Sequence, residues 1–168
     1  MQLFMIYIGG KHAGSLIELH DIRFVVANTI EETYEQLSKS WWGIPSSLHL
    51  DAWGAVQQVD GYDIILQNSP SQQEEQLYFV NLGGYDAAEF TELHKNICVV
   101  AKNEKEASQK AKEKIVHWTS PHKDYVHSVE DVFNVQTILS DPKVNIHLQP
   151  SKEKLPFEFT CRYVPIKL

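Results

Sequence analysis

Apolar positions along the chain follow two spacings, one typical of strands and one typical of helices. Nearly continuous apolar runs at residues 3–8 and 77–82 predict strands that are buried on both faces. Between residues 30 and 41, and again between residues 107 and 118, apolar side chains recur at intervals of three or four and predict one helix in each stretch. Both helices lie between β-prone segments, so the pattern predicts an α+β fold with antiparallel sheets.

The predicted elements occur twice in the same order. Shifting the chain by 74 positions places residues 2–6 over residues 76–80, Gly9-Gly10 over Gly83-Gly84, and Glu18-Leu19-His20 over Glu92-Leu93-His94. A fixed shift of this kind indicates an internal repeat. We therefore predict a tandem repeat of a strand-strand-helix-hairpin unit with pseudo-twofold symmetry. Residues 1–67 form the first unit and residues 76–149 the second, joined by a linker at 68–75 and followed by an extension at 150–168 that adds an edge strand.

Local signals predict how the helices begin and how the hairpins turn. Thr29-x-x-Glu32 and Asn103-x-x-Glu106 have the spacing of capping boxes, in which the first side chain accepts an amide hydrogen bond at the start of a helix. Asp60-Gly61 predicts a two-residue hairpin turn, because both central positions need positive φ. In the second unit the predicted hairpin consists of strands at residues 133–139 and 144–149.

Two glycine pairs, Gly9-Gly10 and Gly83-Gly84, follow the first apolar run of each unit. A phosphate-binding loop would need further glycines or a lysine, with a helix directly after them, whereas another strand follows here. We interpret both pairs as backbone turns or bulges that need positive φ.

Four short motifs combine a histidine with a carboxylate at strand spacing, so that both side chains of a motif point to the same side. They are Glu18-x-His20 and His49-x-Asp51 in the first unit, and Glu92-x-His94 and His122-x-Asp124 in the second. If the two motifs of a unit converge, two imidazoles and two carboxylates could bind a divalent metal ion or support general acid–base chemistry. Asp21, beside the first motif, is a further candidate. The alternative is structural, with His20 bonded to a loop backbone and the aspartates capping turns.

Taken in order, the glycine pair, the Glu-Leu-His motif, the capped helix, the His-x-Asp motif and the Val59-Asp60-Gly61-Tyr62 hairpin resemble a bacterial family known as domain of unknown function 1543. The resemblance covers most of residues 2–149. It implies no activity, substrate or cofactor, since the family name carries none. The second unit departs from the pattern, because Lys95 stands in place of Asp21 and the Asp-Gly turn is absent. A chemical role for Asp21 would therefore be confined to the first unit.

The charge and the cysteine content narrow the classes of partner. The net charge of −7 disfavours non-specific binding to nucleic acid or to anionic lipid. No apolar stretch approaches the ~18 residues that a membrane span needs. The two cysteines form no CxxC motif and no disulfide framework, so a reducing cytoplasm is the expected location. We expect no nucleic-acid partner, no membrane partner and no cofactor.

The tryptophans and the polar motifs support different functions. Trp41 continues the apolar face of the first helix, whereas Trp42 points elsewhere and is expected, with Trp53, to fill the interface between the units or an apolar ligand pocket. Our first hypothesis is a small binding module without catalysis, whose partner is a small molecule, another protein or a second copy of the chain in a homodimer. The alternative is a metal-dependent enzyme that uses the Glu-Leu-His and His-x-Asp motifs.

Overall fold

The structure is a computed structural model that describes residues 1–86, 88–115, 128–139 and 141–167. Within these residues the chain forms ten strands: β1 Gln2–Gly10, β2 Leu19–Ala27, β3 His49–Ala55, β4 Gln58–Val59, β5 Tyr62–Gln67, β6 Gln76–Tyr85, β7 Glu92–Ala101, β8 Ser128–Asn134, β9 Asn145–Pro150 and β10 Thr160–Pro165. The α-helices are α1 Tyr34–Ser40, α2 Glu104–Lys114 and the short α3 Val135–Ile138. Single turns of 3-10 helix precede α1 at Glu31–Thr33 and β3 at Pro45–Ser47.

The strands form antiparallel sheets, which confirms the predicted α+β fold with antiparallel pairing. The first sheet has the order β10-β3-β1-β2, and the second sheet has the order β7-β6-β8. A smaller third sheet, in the order β4-β5-β9, combines strands from the first and second units. The C-terminal strand β10 therefore lies at the edge of the first sheet.

The first and second sheets have the same strand register. In the first sheet Gln2 pairs with Ala27, and in the second sheet Gln76 pairs with Ala101. Strands β3 and β8 each contain one extra residue opposite their partner strand, next to Tyr7 of β1 and next to Asn81 of β6. Such bulges change the direction of the side chains around them.

The two large sheets pack face to face, with α1 on the outside of the first sheet and α2 on the outside of the second. Side chains that alternate along each strand therefore enter two different cores. Leu3 of the first sheet and Leu77 of the second belong to one central core that lies between the two sheets. The neighbouring residue Phe4 faces the opposite side, where it packs with Leu37 of α1. We call the side of the first sheet that faces the central core its inner face.

One of the two predicted N-cap residues, Asn103, is confirmed. The Asn103 side chain accepts a hydrogen bond of 3.0 Å from the backbone N–H of Glu106, and α2 begins at the next residue. The box at Thr29 is wrong, because Ile30 and not Thr29 is the N-cap of the first helical segment. Glu32 accepts a hydrogen bond of 2.7 Å from the backbone N–H of Asn28, as Glu106 does from that of Lys102. The first helical segment consequently begins one residue later with a 3-10 turn, which has no side-chain cap.

The hairpin predicted within the second unit is also wrong. Strand β8 ends at Asn134, whose side chain accepts a hydrogen bond from the backbone N–H of Gln136 and thereby starts α3. The Gln136 side chain in turn accepts a hydrogen bond from the backbone N–H of Ile146. Residues 135–138 are therefore helical and do not continue β8 into a hairpin with β9. Strand β9 pairs with β5 of the first unit instead.

The turn at Asp60-Gly61 has the predicted positive φ at both residues, 54° and 82°. The Asp60 side chain reaches the second unit, where it accepts a hydrogen bond of 2.8 Å from the backbone N–H of Val100. Lys114 of α2 forms an ion pair with the same carboxylate. The hairpin turn therefore also connects the first unit to the second.

Two further findings concern helices and cysteines. Among the described helices, none combines the length and the apolar character that crossing a membrane requires. Both cysteines are free thiols. Cys161 is exposed, whereas burial raises the pKa of the Cys98 thiol to about 12.

Candidate metal centre

Two histidines flank a glycine on the inner face of the first sheet. Gly9 of β1 pairs with His20 of β2 on one side and with His49 of β3 on the other. Neighbouring strands lie about 4.8 Å apart, so the two imidazoles meet above the glycine that separates them. We call these three residues the histidine row.

Two carboxylates approach the same point from different directions. Glu18 precedes β2 and lies two residues before His20, so it shares a face with that histidine. Asp51 is the extra residue of the bulge in β3, because Tyr7 pairs with Ala52 while Ile8 pairs with Leu50. The Asp51 side chain faces the histidines and not the core that contains Phe4 and Leu37. We call Glu18, His20, His49 and Asp51 the polar cluster.

The distances within the polar cluster are nearly equal. His20 Nε2 lies 3.5 Å from Glu18 Oε1 and 3.4 Å from Asp51 Oδ2. His49 Nε2 lies 3.5 Å from Glu18 Oε2 and 3.4 Å from Asp51 Oδ2. Two ligand atoms bound to one ion by bonds of about 2.1 Å, at a tetrahedral angle, are separated by about 3.4 Å. The two first-unit motifs therefore converge with the spacing of metal ligands.

A backbone carbonyl fixes which ring nitrogen of His49 donates a hydrogen bond. Its Nδ1 donates a hydrogen bond of 2.8 Å to the carbonyl oxygen of Ser47, since a carbonyl can only accept. His49 is 2% exposed, and its Nε2 and the Oδ2 of Asp51 are buried atoms without a hydrogen-bond partner among the described atoms. Leaving such an atom unsatisfied costs about 1–3 kcal/mol. A carbonyl on Nδ1 and a free lone pair on Nε2 are typical of a metal-binding histidine.

Two tyrosine rings hold the imidazoles in place. The Tyr7 ring stacks on the His20 ring with a centroid distance of 5.1 Å and an interplanar angle of 4°. The Tyr163 ring of β10 lies 4.4 Å from the His49 ring. Burial, and then the negative charge of Asp51, raise the pKa of the Tyr7 hydroxyl. Sequence reasoning missed both tyrosines, although Tyr7 lies two residues before Gly9 and therefore on the same strand face.

The predicted backbone turns at the glycine pairs are wrong. Gly9 and Gly10 are the last residues of β1, Gly83 and Gly84 lie within β6, and none of the four has positive φ. Position 9 requires glycine because the neighbouring side chains leave no room for a Cβ atom, and not because of its backbone conformation. A Cβ there would lie 2.6 Å from His49 Nε2 and 2.7 Å from Asp51 Oδ2.

Gly9→Ala is expected to disrupt the polar cluster and to lower affinity for a divalent metal ion. Its methyl group would push His49 and Asp51 apart, at a cost of about 1–3 kcal/mol in stability for overpacking. Gly10→Ala is the matched control, because its Cβ would instead lie 2.7 Å from Trp41 on the other face of the sheet. Urea unfolding and zinc titration of both variants measure the two effects. Unchanged zinc affinity in Gly9→Ala would contradict a role for this geometry.

Asp21 does not join the polar cluster. It pairs with Ile8, whose side chain packs in the core beneath α1, on the opposite side from the inner face. The Asp21 carboxylate binds the guanidinium of Arg23. Its other oxygen accepts a hydrogen bond of 2.7 Å from the backbone N–H of Ile22. Asp21 therefore has a structural partner of its own.

The second unit arranges its motifs differently. His94 pairs with Gly83, and its Nε2 lies 3.9 Å from Glu92 Oε2, which parallels the Glu-Leu-His motif of the first unit. The position opposite Gly83 on β8 is occupied by Ser128, so the expected equivalence of His49 with His122 is wrong. This shift of six residues places Glu130 at the bulge, where the first unit has Asp51. His122 and Asp124 themselves lie outside the described residues.

The predicted tryptophan interface between the units is not formed by Trp42. Trp41 packs in the core beneath α1, as predicted. Trp42 stacks on Trp41 with a centroid distance of 4.9 Å and also contacts His12. Both of these contacts lie within the first unit.

The chain is similar to a protein family and to a solved structure. A family model described as Domain of Unknown Function (DUF1543) matches residues 15–66, a span that contains the whole polar cluster. The crystal structure of a protein Il1583 from Idiomarina loihiensis is 30% identical in sequence, with a TM-score of 0.66, and the match covers 99% of this chain and 99% of that chain. No curated protein matches the chain.

Proposed function

Because the chain belongs to the family described as Domain of Unknown Function (DUF1543), whose description names no activity, we propose a function from the geometry of the chain itself. The first unit binds one divalent transition-metal ion on the inner face of the first sheet. Its ligands are His20, His49, Asp51 and Glu18.

One observation carries this proposal, namely four nearly equal nitrogen–oxygen distances in the polar cluster, two of whose atoms are buried and without a hydrogen-bond partner. Each distance is 3.4 or 3.5 Å. A structural hydrogen-bond network would bring N and O within 2.7–3.2 Å. The distances instead match the separation of about 3.4 Å between two ligand atoms of one ion. Glu18, His20 and His49 each offer a ligand atom within 4.8 Å of the other two, and Asp51 Oδ2 lies 3.4 Å from both histidines. A bound cation would satisfy both buried atoms at once.

The ligand types indicate which metals are suitable. Calcium and magnesium prefer oxygen ligands alone, whereas imidazole nitrogen with carboxylate oxygen is suitable for zinc, iron, cobalt, nickel and manganese. Three protein ligands with an open position are typical of catalytic zinc sites, and four are typical of closed structural sites. Here His49 is enclosed, while the Glu18 side chain is 43% exposed. The exposed side leaves room for a fifth ligand.

Calorimetric titration of the chelator-treated full chain tests the proposal. We expect one ion per chain. Affinity should rise from manganese through cobalt to nickel, following the general preference of nitrogen and oxygen sites, with zinc close to nickel. Calcium and magnesium should bind far more weakly. At a free zinc concentration of about 1,000 times Kd, linkage predicts a gain of about 4 kcal/mol in unfolding free energy. Absence of binding, or equal binding of calcium, would reject the site.

We further propose that the two units arose by duplication and are related by a pseudo-twofold axis. The equal registers of the first and second sheets support this relation. The pairing of β5 with β9 supports it independently, because Ile64 pairs with Leu148 and Leu66 pairs with Ile146. Exchanging these two similar strands reproduces the same pairs. The axis would pass near the central pair of Ile65 with His147.

The division of the chain follows from the same proposal. The units comprise residues 1–67 and 76–149, with a linker at 68–75 and an extension at 150–168. The extension completes the first sheet through β10, so the first unit carries an additional strand. Two free thiols support the proposed cytoplasmic location, since reducing compartments keep cysteines unpaired.

A further inference from the structure

A cavity of about 570 Å³ lies beside the polar cluster, between the first sheet, β7 and the segment before β10. Small-molecule sites have volumes of about 300–1,000 Å³. Its lining on the first sheet includes Tyr7, Ile22 and Ala52, and aromatic rings of Phe157 and Phe159 form another side. Strand β7 contributes polar groups, among them those of Asn96 and Glu92.

The strand register shows that the cavity adjoins the proposed metal site. Tyr7 pairs with Ile22 on one side and with Ala52 on the other, so these residues form the next row on the inner face after the histidine row. Two residues along a strand span about 6.6–6.8 Å. The Tyr7 ring also stacks on His20, so one side chain borders both the cavity and a proposed ligand.

The cavity exists because the first unit has small residues at two positions of β3. Ala52 lines the cavity without filling it, and Gly54 lies beneath the ring of Phe157. A Cβ at Gly54 would lie 2.7 Å from that ring. By register, the second unit has Asp131 and Phe133 at these two positions. The small residues and the second histidine therefore occur together in the first unit.

We propose that the cavity binds the apolar body of a small organic acid, whose acidic oxygen atoms complete the coordination of the metal ion. This inference rests on the proposed metal site. A cation attracts an anionic oxygen donor, and the exposed side of the polar cluster leaves a position for it. The stacked rings of Phe157 and Phe159, 5.7 Å apart, suit an aromatic or branched aliphatic body. The polar groups of β7 face the opposite side of that body.

Two hydroxamates test the inference, because both chelate zinc through the same oxygen atoms and only one carries a ring. We expect the zinc-loaded chain to bind benzohydroxamate about 10 to 100 times more tightly than acetohydroxamate, since burying the ring removes apolar area from water. Ala52→Leu should fill the cavity and abolish this ratio while zinc still binds. Ala13→Leu, an equal change on an exposed loop, should preserve the ratio.

The outcomes separate the two proposals. Equal affinity for both hydroxamates in the zinc-loaded chain would overturn the cavity inference and leave the metal site intact. Failure of zinc to bind the chain would overturn the metal site itself. Equal binding of benzohydroxamate with and without zinc would show a cavity ligand that does not reach the metal, and would also overturn the inference. If Ala52→Leu does not fold, Phe159→Ala replaces it, because that ring is 61% exposed and its loss should lower the ratio without unfolding the chain.

Discussion

Replacing His49 with alanine is expected to lower zinc affinity by at least about 100-fold, since loss of even an outer-shell partner of a metal ligand costs 10- to 100-fold. His49 supplies the most enclosed ligand atom of the polar cluster, and its ring is fixed by Ser47 and Tyr163. Zinc titration by calorimetry measures the affinity, and circular dichroism checks the fold.

His147→Ala is the matched control for this substitution. His147 also lies in a strand, and one of its ring nitrogens also contacts a backbone carbonyl, that of Ser69, at 2.8 Å. It lies outside the polar cluster, so its loss should leave zinc affinity unchanged. Equal zinc affinity in His49→Ala and the unmodified chain would place the binding site elsewhere.

The elements of the first unit follow closely from the sequence. The apolar run of residues 3–8 lies in a strand that is buried on both faces, because one face packs against the central core and the other against α1. The Asp60-Gly61 turn forms because both residues tolerate positive φ. In these cases a local preference and the packing of the whole fold require the same conformation.

The polar cluster could be predicted only in part. The spacing of Glu18-x-His20 indicated that these two side chains share a face. Their convergence with His49 depends on β1 lying between β2 and β3, which is a long-range pairing that no local pattern encodes. The spacing of His49-x-Asp51 also indicated a shared face, whereas the bulge at Asp51, after which Ala52 pairs with Tyr7, is not encoded in that spacing. The need for glycine at position 9 likewise became visible only with the neighbouring strands in place.

The expected equivalence of His49 with His122 was wrong because it also depended on strand register. His122-Lys123-Asp124 resembles His49-Leu50-Asp51 in letters, but strand register decides which residues face a common point. Position 128 is the one that pairs with Gly83, and it carries serine. The proposed metal site therefore depends on residues of the first unit, although both units contain a Glu-Leu-His motif.

Asp51→Asn is expected to have opposite effects on stability and on metal binding. In the metal-free chain, an asparagine Nδ2 would donate a hydrogen bond to the lone pair of His49 Nε2, and it would remove a carboxylate oxygen that is buried without a partner. Forming one such hydrogen bond should add about 1 kcal/mol to the unfolding free energy. The neutral amide is a poor ligand for a transition metal, so zinc affinity should fall by at least about 100-fold, as for His49→Ala.

Asp21→Asn is the matched control for Asp51→Asn. Asp21 forms an ion pair with Arg23 and takes no part in the polar cluster, so its replacement should lower stability slightly and leave zinc affinity unchanged. Urea unfolding of both metal-free variants gives the sign of each effect. If Asp51→Asn also destabilises the metal-free chain, then Asp51 is an ordinary partner of protonated histidines. If it stabilises the metal-free chain and prevents zinc binding, then the buried carboxylate is maintained at a cost in stability that only a bound cation offsets.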